Sequence, residues 1–359
     1  MAYLIPFLLF VFGHIFPRNK YLTFFFLLYF WVLMGLNTYT PDYESYEDTY
    51  NNLFLYPQYE IGFQGLCALG NIWGLSYQEF RMLFAALFVL FTYISATRIS
   101  PYPNYILALF LLWPFVPSVS GIRQVMANII MCCGIPCLYK PGKAQLIKYL
   151  FWVLLAWTIH ISALFYIVFI FARNEFGVKE KRMLFFTIVI VSLILSGSGL
   201  LGGLLQSLGN HKFDKWLNIN GDEGIPHPNF AGFIIRTFLV CLYAYIVPCI
   251  KNIIHERTDS RNISYMRTMV CSNISILLLL IIPGFIVAGE YQRYMYGAMF
   301  IYYAVYADFY YGRIAYRCKN RAQILLISYF AILLTIWYYW FSTRNHDLIA
   351  TFTDNLLFQ

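Results

Sequence analysis

The sequence predicts an all-α polytopic membrane protein of about 12 transmembrane or re-entrant helices, and three observations carry that prediction. Hydrophobic residues make up 60% of the 359 positions and charged residues 12%, against about 25% charged in a typical soluble domain. The apolar residues lie in runs of about 17 to 22, the length that crosses a bilayer as a helix. The basic residues fall in alternate loops, as the positive-inside rule requires of a multi-pass chain. The net charge of +8 follows from this topology and carries no expectation of nucleic-acid binding. The eight cysteines sit in or beside apolar runs without metal-ligand spacing and read as core fillers.

Taken in order, the first span (Met1 to Pro17) has no basic leading segment and no Ala-x-Ala site, so it reads as a retained helix. A Pro-Arg-Asn-Lys turn, assigned inside, leads to the second span, Tyr21 to Asn37. Thr38 to Glu60 holds Asp42, Glu44, Glu47, Asp48 and Glu60 and no Lys or Arg, which places it outside. Ile61 to Gly74 is apolar but short, and is expected to lie on the outer surface as an interfacial helix. Residues 38–75 therefore form the first of two sizeable extracytoplasmic loops. Ser76 to Thr97 goes in, Tyr102 to Val119 comes out and Val125 to Tyr139 returns. Leu146 to Ala172 is either one long helix or a hairpin turning near His160. After it come Leu184 to Leu200, a second outer loop at 201–229, and spans at Phe230 to Ile250, Thr268 to Ala288, Tyr294 to Tyr311 and Ile324 to Phe341. Residues 1–341 then make one helical membrane domain and 342–359 an extracytoplasmic tail. Its last residues, Asn-Leu-Leu-Phe-Gln, are compatible with a protease-site remnant.

Charge decides for the hairpin. With it, the inner loops hold Arg18 and Lys20; Arg98; Lys140, Lys143 and Lys148; Arg173, Lys179, Lys181 and Arg182; Lys251, Arg257, Arg261 and Arg267; and Arg313, Arg317, Lys319 and Arg321. A single long helix would turn the last three groups outward, against the positive-inside rule. Seven basic residues remain on the outer half: Arg81, Arg123, Lys212, Lys215, Arg236, Arg293 and Arg344. Five of them are arginines, which suit bidentate recognition of phosphate or carboxylate better than general surface charge does.

Arg123, followed by Gln124, stands between two apolar runs at the Gly121 turn. A guanidinium there keeps its proton and either snorkels to water or meets an anion. Arg123, Arg236 and Arg293 are expected to share one outward-facing cavity where a diphosphate is stabilised; the competing reading pairs them separately, for instance Arg293 with Glu290. His160 falls at the outer turn of the hairpin, either as a proton acceptor for a sugar hydroxyl or as a structural hydrogen-bonding residue. Tyr39, Tyr43, Tyr46 and Tyr50 have helical spacing, with Thr40, Pro41 and Asp42 as a helix start. Their face would stack on sugars or form an aromatic belt. Asp42 and Glu44 are a possible pair for a divalent cation. There is no Walker loop, zinc-type spacing or Gly-x-Ser-x-Gly elbow, so ATP hydrolysis, metalloprotease and serine hydrolase chemistry have no support.

Pro41-Asp42-Tyr43 with Tyr46 and Tyr50, Glu60-Ile-Gly62-Phe63, Gly121-Ile-Arg123-Gln124, His160-Ile-Ser162-Ala163-Leu164 and Gln292-Arg293-Tyr294 occur in this order. Together they resemble the EpsG-like family of bacterial exopolysaccharide polymerases, close in role to the Wzy polymerases of O-antigen, over roughly Thr38 to Tyr311. The resemblance implies a GT-C-like transferase in the bacterial inner membrane with its site facing the periplasm. It would move a growing glycan from undecaprenyl diphosphate to the non-reducing end of a lipid-linked repeat unit. On that resemblance Arg123 and Arg293, helped by Arg236, hold the donor diphosphate, and His160 orients or deprotonates the acceptor, with Asp42 and Glu60 as competing bases. Arg81, Gln124, Tyr43, Tyr46, Glu290 and Tyr294 complete the expected substrate-binding set. No cofactor is required, since the diphosphate is a good leaving group that arginines stabilise, although a divalent metal stays open. A flippase and a chain-length regulator are the expected partner proteins. Two other readings stand beside this one: an O-antigen ligase or metal-dependent polyprenyl-phosphate sugar transferase, and a lipid-linked oligosaccharide flippase or other transporter.

Overall fold

The computed structural model describes residues 4–56, 59–197, 230–255, 263–287, 289–312, 321–342 and 355–356. The expected outer loop 201–229, with Lys212 and Lys215, and Arg344 in the expected tail lie outside the described residues. Helices are the regular structure among the described residues, apart from one isolated bridge between Asn37 and Asn355. Four of its helices are long and apolar enough to cross a membrane: Tyr77–Ile99, Gly232–His255, Ser264–Ile281 and Arg321–Tyr338. Shorter apolar helices include Leu4–Ile15, Lys20–Gly35, Ile61–Ile72 and Ile122–Leu138.

Local signals set several helix starts. The Asn19 side chain accepts from the Leu22 N–H to begin Lys20–Gly35, and Ser76 with Glu79 forms a reciprocal capping box for Tyr77–Ile99. The segment expected to span from Tyr102 to Val119 is not one helix. Pro103–Phe110 is regular, but Trp113 takes extended angles (φ −161°, ψ 131°) before Pro114, and helix resumes only at Val116–Ser118. Proline has no N–H to donate and pushes its predecessor out of the helical region. The Trp113 carbonyl released by the break accepts from the Tyr303 hydroxyl at 2.8 Å, so the irregular backbone is satisfied inside the protein.

The expected hairpin is present. Lys143–Trp157 is an α-helix, the chain turns at Thr158 to His160, and Ile161–Arg173 returns as a 3₁₀-helix. The Tyr149 hydroxyl donates to the Tyr166 carbonyl at 2.7 Å, tying the two arms together. At about 2.0 Å per residue the 13-residue return arm reaches about 26 Å, where the same residues as α-helix would reach only about 20 Å. The tighter helix thus gives a short segment a nearly membrane-deep reach.

Nearly every residue of Ile122–Leu138 and of Arg293–Tyr311 is buried, the mark of helices enclosed on all sides. The Cys132 thiol reaches the Gly297 carbonyl at 3.4 Å. The Tyr166 hydroxyl reaches both Asn128 Oδ1 (2.7 Å) and the Tyr294 carbonyl (3.1 Å). Asn128 thus lies level with Tyr294, and Cys132 with Gly297, so these two central helices run parallel. Their N-terminal turns, which carry Arg123 and Arg293, open at the same end of the molecule.

Asn355 and Leu356 also pack against the bundle. Asn355 is fully buried, its amide donates to the Val32 carbonyl at 2.7 Å, and Leu356 N–H donates to the Leu36 carbonyl at 2.9 Å. These two residues, readable in sequence as part of a remnant, close the end of the Lys20–Gly35 helix.

Candidate functional site

The site is assembled around the start of the Ile61–Ile72 helix. Two of the N–H groups that this helix cannot satisfy internally, those of Gly62 and Phe63, donate to the Thr158 carbonyl at 2.7 and 3.1 Å. A side chain at position 62 would put its Cβ 2.4 Å from Thr158 Oγ1 and 2.7 Å from that carbonyl oxygen, so the contact requires glycine. Glu60, the residue before the helix, does not cap it with its carboxylate. Glu60 Oε2 instead accepts from Arg123 Nη1 at 2.6 Å, and Oε1 accepts from the Ile161 N–H at 2.8 Å. One carboxylate therefore joins the arginine at the head of a central helix to the residue following His160.

Arg123 is enclosed. Its side chain is 9% exposed and that of Glu60 13%. The guanidinium carbon lies 4.2 Å from the Tyr59 ring centroid, 5.1 Å from Phe63 and 5.5 Å from Tyr46, all within cation–π range. The Tyr46 hydroxyl bonds the guanidinium as well, and Asp42 and Arg293 lie close enough to act on Tyr46 electrostatically. Burial pushes the Tyr46 phenol up from its ordinary range, the two arginines opposing and Asp42 adding to the effect. Tyr46 thus stays neutral at physiological pH, and Glu60 is the counter-charge in contact with Arg123. Arg123 Nε is buried with no hydrogen-bond partner among the described residues, so the five-donor fork retains capacity for an anion.

His160 has a defined polarity. Its Nδ1 accepts from the Ser162 backbone N–H at 3.2 Å and lies 2.7 Å from Ser162 Oγ. A backbone N–H can only donate, so Nδ1 is the acceptor and the neutral imidazole carries its proton on Nε2. Nε2 is then a hydrogen-bond donor.

Asp42 ends the segment before the Tyr43–Asn51 helix and accepts from the Ser120 hydroxyl at 3.0 Å. Arg236 joins through Gln292: its Nε donates to Gln292 Oε1 at 3.1 Å, next to Arg293. Arg236 Nη1 is buried without a hydrogen-bond partner among the described residues, beside a cavity of about 20 Å³ lined by Trp113, Gln292, Tyr296 and Thr335. Gln124 is half-buried one residue after Arg123. Tyr294 packs its ring 4.9 Å from Phe165 and 5.8 Å from Tyr291. The Glu290 side chain lies outside the described residues.

Arg81 is fully buried: Nε donates to the Met34 carbonyl at 2.8 Å and Nη2 to the Val119 carbonyl at 3.3 Å, while Nη1 has no hydrogen-bond partner among the described residues. A cation suits carbonyls released near a helix end. The four tyrosines do not form one exposed face: Tyr46 and Tyr50 are buried and Tyr39 is exposed. Tyr39 precedes the helix, the Tyr50 ring stacks 4.8 Å from Phe80, and Tyr43 donates to Gln78 at 2.9 Å. Only Tyr46 turns toward Arg123. Of the possible cation pair, Glu44 is exposed while Asp42 is held by Ser120. No group of three or more His, Cys, Asp or Glu side chains placed to hold a metal ion occurs among the described residues.

Sequence reasoning missed Tyr59, Thr158 and Ser120. Ser120 stood one residue before the Gly121 turn. Tyr59 and Thr158 had no signal of their own, because their roles depend on chain crossings about 60 and about 100 residues away.

A family model for the EpsG family matches residues 20–353 of this chain, a span that takes in every residue of the site. No curated protein and no solved structure matches the chain.

Proposed function

This chain belongs to the EpsG family, and from that premise we propose that it is a membrane glycosyltransferase that polymerises lipid-linked repeat units of an exopolysaccharide or O-antigen. The donor is a growing glycan on undecaprenyl diphosphate, and the acceptor is the non-reducing end of a second lipid-linked repeat. The setting is a GT-C-like bundle of about 12 helices in the bacterial inner membrane, with the site at the periplasmic face. One observation carries the reading: Glu60 bonds both Arg123 and the Ile161 N–H, while Tyr46 bonds Arg123 and lies within electrostatic reach of Arg293. Motifs from five separate parts of the chain thus meet in one place.

In the proposed reaction the acceptor hydroxyl oxygen attacks the anomeric carbon of the donor sugar. The bond from that carbon to the diphosphate oxygen breaks, and the diphosphate leaves with the electron pair. Arg293 and the unpartnered Nε of Arg123 hold the leaving group, where charge-assisted donors stabilise it most as the bond lengthens. Arg236, one residue removed through Gln292, supports the distal phosphate. His160 orients the acceptor by donating from Nε2. The proton goes to Asp42, because Glu60 has both oxygens engaged whereas Ser120 holds only Oδ2 of Asp42.

The test is complementation of a polymerase-deficient strain with Arg293→Ala and Arg123→Lys, scoring the glycan ladder against membrane protein level. Single repeats from well-expressed variants are expected; a full ladder from Arg293→Ala would remove the diphosphate role. Glycan lengthening by purified protein in detergent, where no gradient exists, separates this activity from transport.

A further inference from the structure

The Lys20–Gly35 and Tyr77–Ile99 helices lie antiparallel. At one end Gln78 donates to the Gly35 carbonyl at 2.6 Å and Trp31 to the Met82 carbonyl at 3.0 Å. At the other end the two helices diverge around a cavity of about 560 Å³ lined by Arg18, Lys20, Phe24, Leu27, Tyr93 and Thr97. The 16-residue helix separates this cavity from the Arg123 end by about 24 Å, so it is not part of the site above.

The cavity is built, and no acidic side chain lines it among the described residues. Asn104, fully buried, locks the turn that carries the two cations: its amide donates to the Phe16 and Asn19 carbonyls at 2.7 and 2.8 Å, and its backbone N–H donates to the Pro17 carbonyl at 3.2 Å. The Thr23 hydroxyl donates back to Asn104 Oδ1 at 2.6 Å. The Arg18 guanidinium lies 4.5 Å from the Tyr102 ring centroid, and that ring stacks on Tyr311, so its direction is set. Every lining residue comes from residues 1–41 or 80–174, and neither stretch contains an Asp or Glu. Below the cations the walls are apolar and open to the outer surface of the bundle, with Phe24 62% and Tyr93 48% exposed.

We propose that this groove binds an anionic glycerophospholipid, its phosphate between Arg18 and Lys20 and an acyl chain along Phe24, Leu27 and Tyr93. Charge complementarity selects the phosphate, and the apolar wall selects a lipid over a soluble anion. Basic turns at a membrane surface attract anionic headgroups in proportion to their cations.

Native mass spectrometry of the full chain in detergent, titrated with phosphatidylglycerol or phosphatidylcholine of matched acyl chains, tests this. Retention of one phosphatidylglycerol, with phosphatidylcholine stripped, is expected. Substituting both cations (Arg18→Gln with Lys20→Gln) should weaken phosphatidylglycerol binding about 30-fold, the effect of losing two surface cations. Both side chains are exposed, so the melting temperature should hold. If that variant is poorly folded, Thr97→Glu, which places a carboxylate in the groove, must give the same loss. Unchanged phosphatidylglycerol affinity in either folded variant overturns the proposal, as does equal retention of phosphatidylcholine. Binding of inorganic phosphate as tight as that of the lipid would show a soluble-anion site and overturn the lipid assignment.

Discussion

Replacing Glu60 by Gln removes one charge from the centre of the site while keeping its size and an acceptor for the Ile161 N–H. Arg123 would be left as a buried cation without its carboxylate. Removing one member of a buried pair typically costs about 3 to 5 kcal/mol. The three surrounding rings offset about 1 to 2 kcal/mol of that through cation–π attraction. The expected net loss is therefore about 1 to 4 kcal/mol, read as a fall of several degrees in thermal unfolding of the detergent-solubilised protein. Glu60→Ala should be worse by a further increment of about 1 kcal/mol, since it also leaves the Ile161 N–H without an acceptor. Adding Arg123→Met to Glu60→Gln removes both charges and should return most of the stability, but not polymerisation, because the guanidinium proposed to hold the diphosphate is gone. If Glu60→Gln melts with the wild type, the pair does not hold the His160 turn. If the double variant makes a full ladder, neither residue is needed for chemistry.

Three further outcomes follow from the geometry. Gly62→Ala should cost about 1 to 3 kcal/mol, as overpacking does, and shorten the glycan ladder by displacing the Thr158 carbonyl; a neutral effect in both assays would show that the contact yields freely. Tyr166→Phe should destabilise the solubilised protein by about 1 to 3 kcal/mol by leaving Asn128 and the Tyr294 carbonyl without their shared donor, which thermal unfolding beside wild type would detect. His160→Asn keeps a side-chain acceptor for the Ser162 N–H but loses the Nε2 donor. It should therefore keep its fold and lose turnover, whereas equal turnover would confine His160 to capping the 3₁₀-helix.

Helical class and the hairpin were legible in the sequence for different reasons. Bilayer crossing demands long apolar runs whatever the tertiary arrangement, and the hairpin at His160 followed from where Lys and Arg would otherwise fall. The 3₁₀ form of its return arm was not legible, because Ile161 to Arg173 reads as any apolar helix and the tighter winding answers to packing and reach. The break before Pro114 had its signal in the proline, yet the apolar character of Tyr102 to Val119 concealed it.

For the site, the sequence by itself determined which residues carry unusual charge: arginines at the heads of Ile122–Leu138 and Arg293–Tyr311, an acidic segment between apolar runs, and a histidine at a turn. Charge in an apolar chain is conspicuous because its desolvation is costly wherever it lies. Only the tertiary structure decided how those charges are spent. Arg81 and Arg123 look alike in sequence, but backbone carbonyls enclose the first, whereas the second meets Glu60, three rings and Tyr46. Partner choice depends on which segments cross, and a hydrogen bond formed or lost over about 1 Å is set by packing between residues that no local pattern relates.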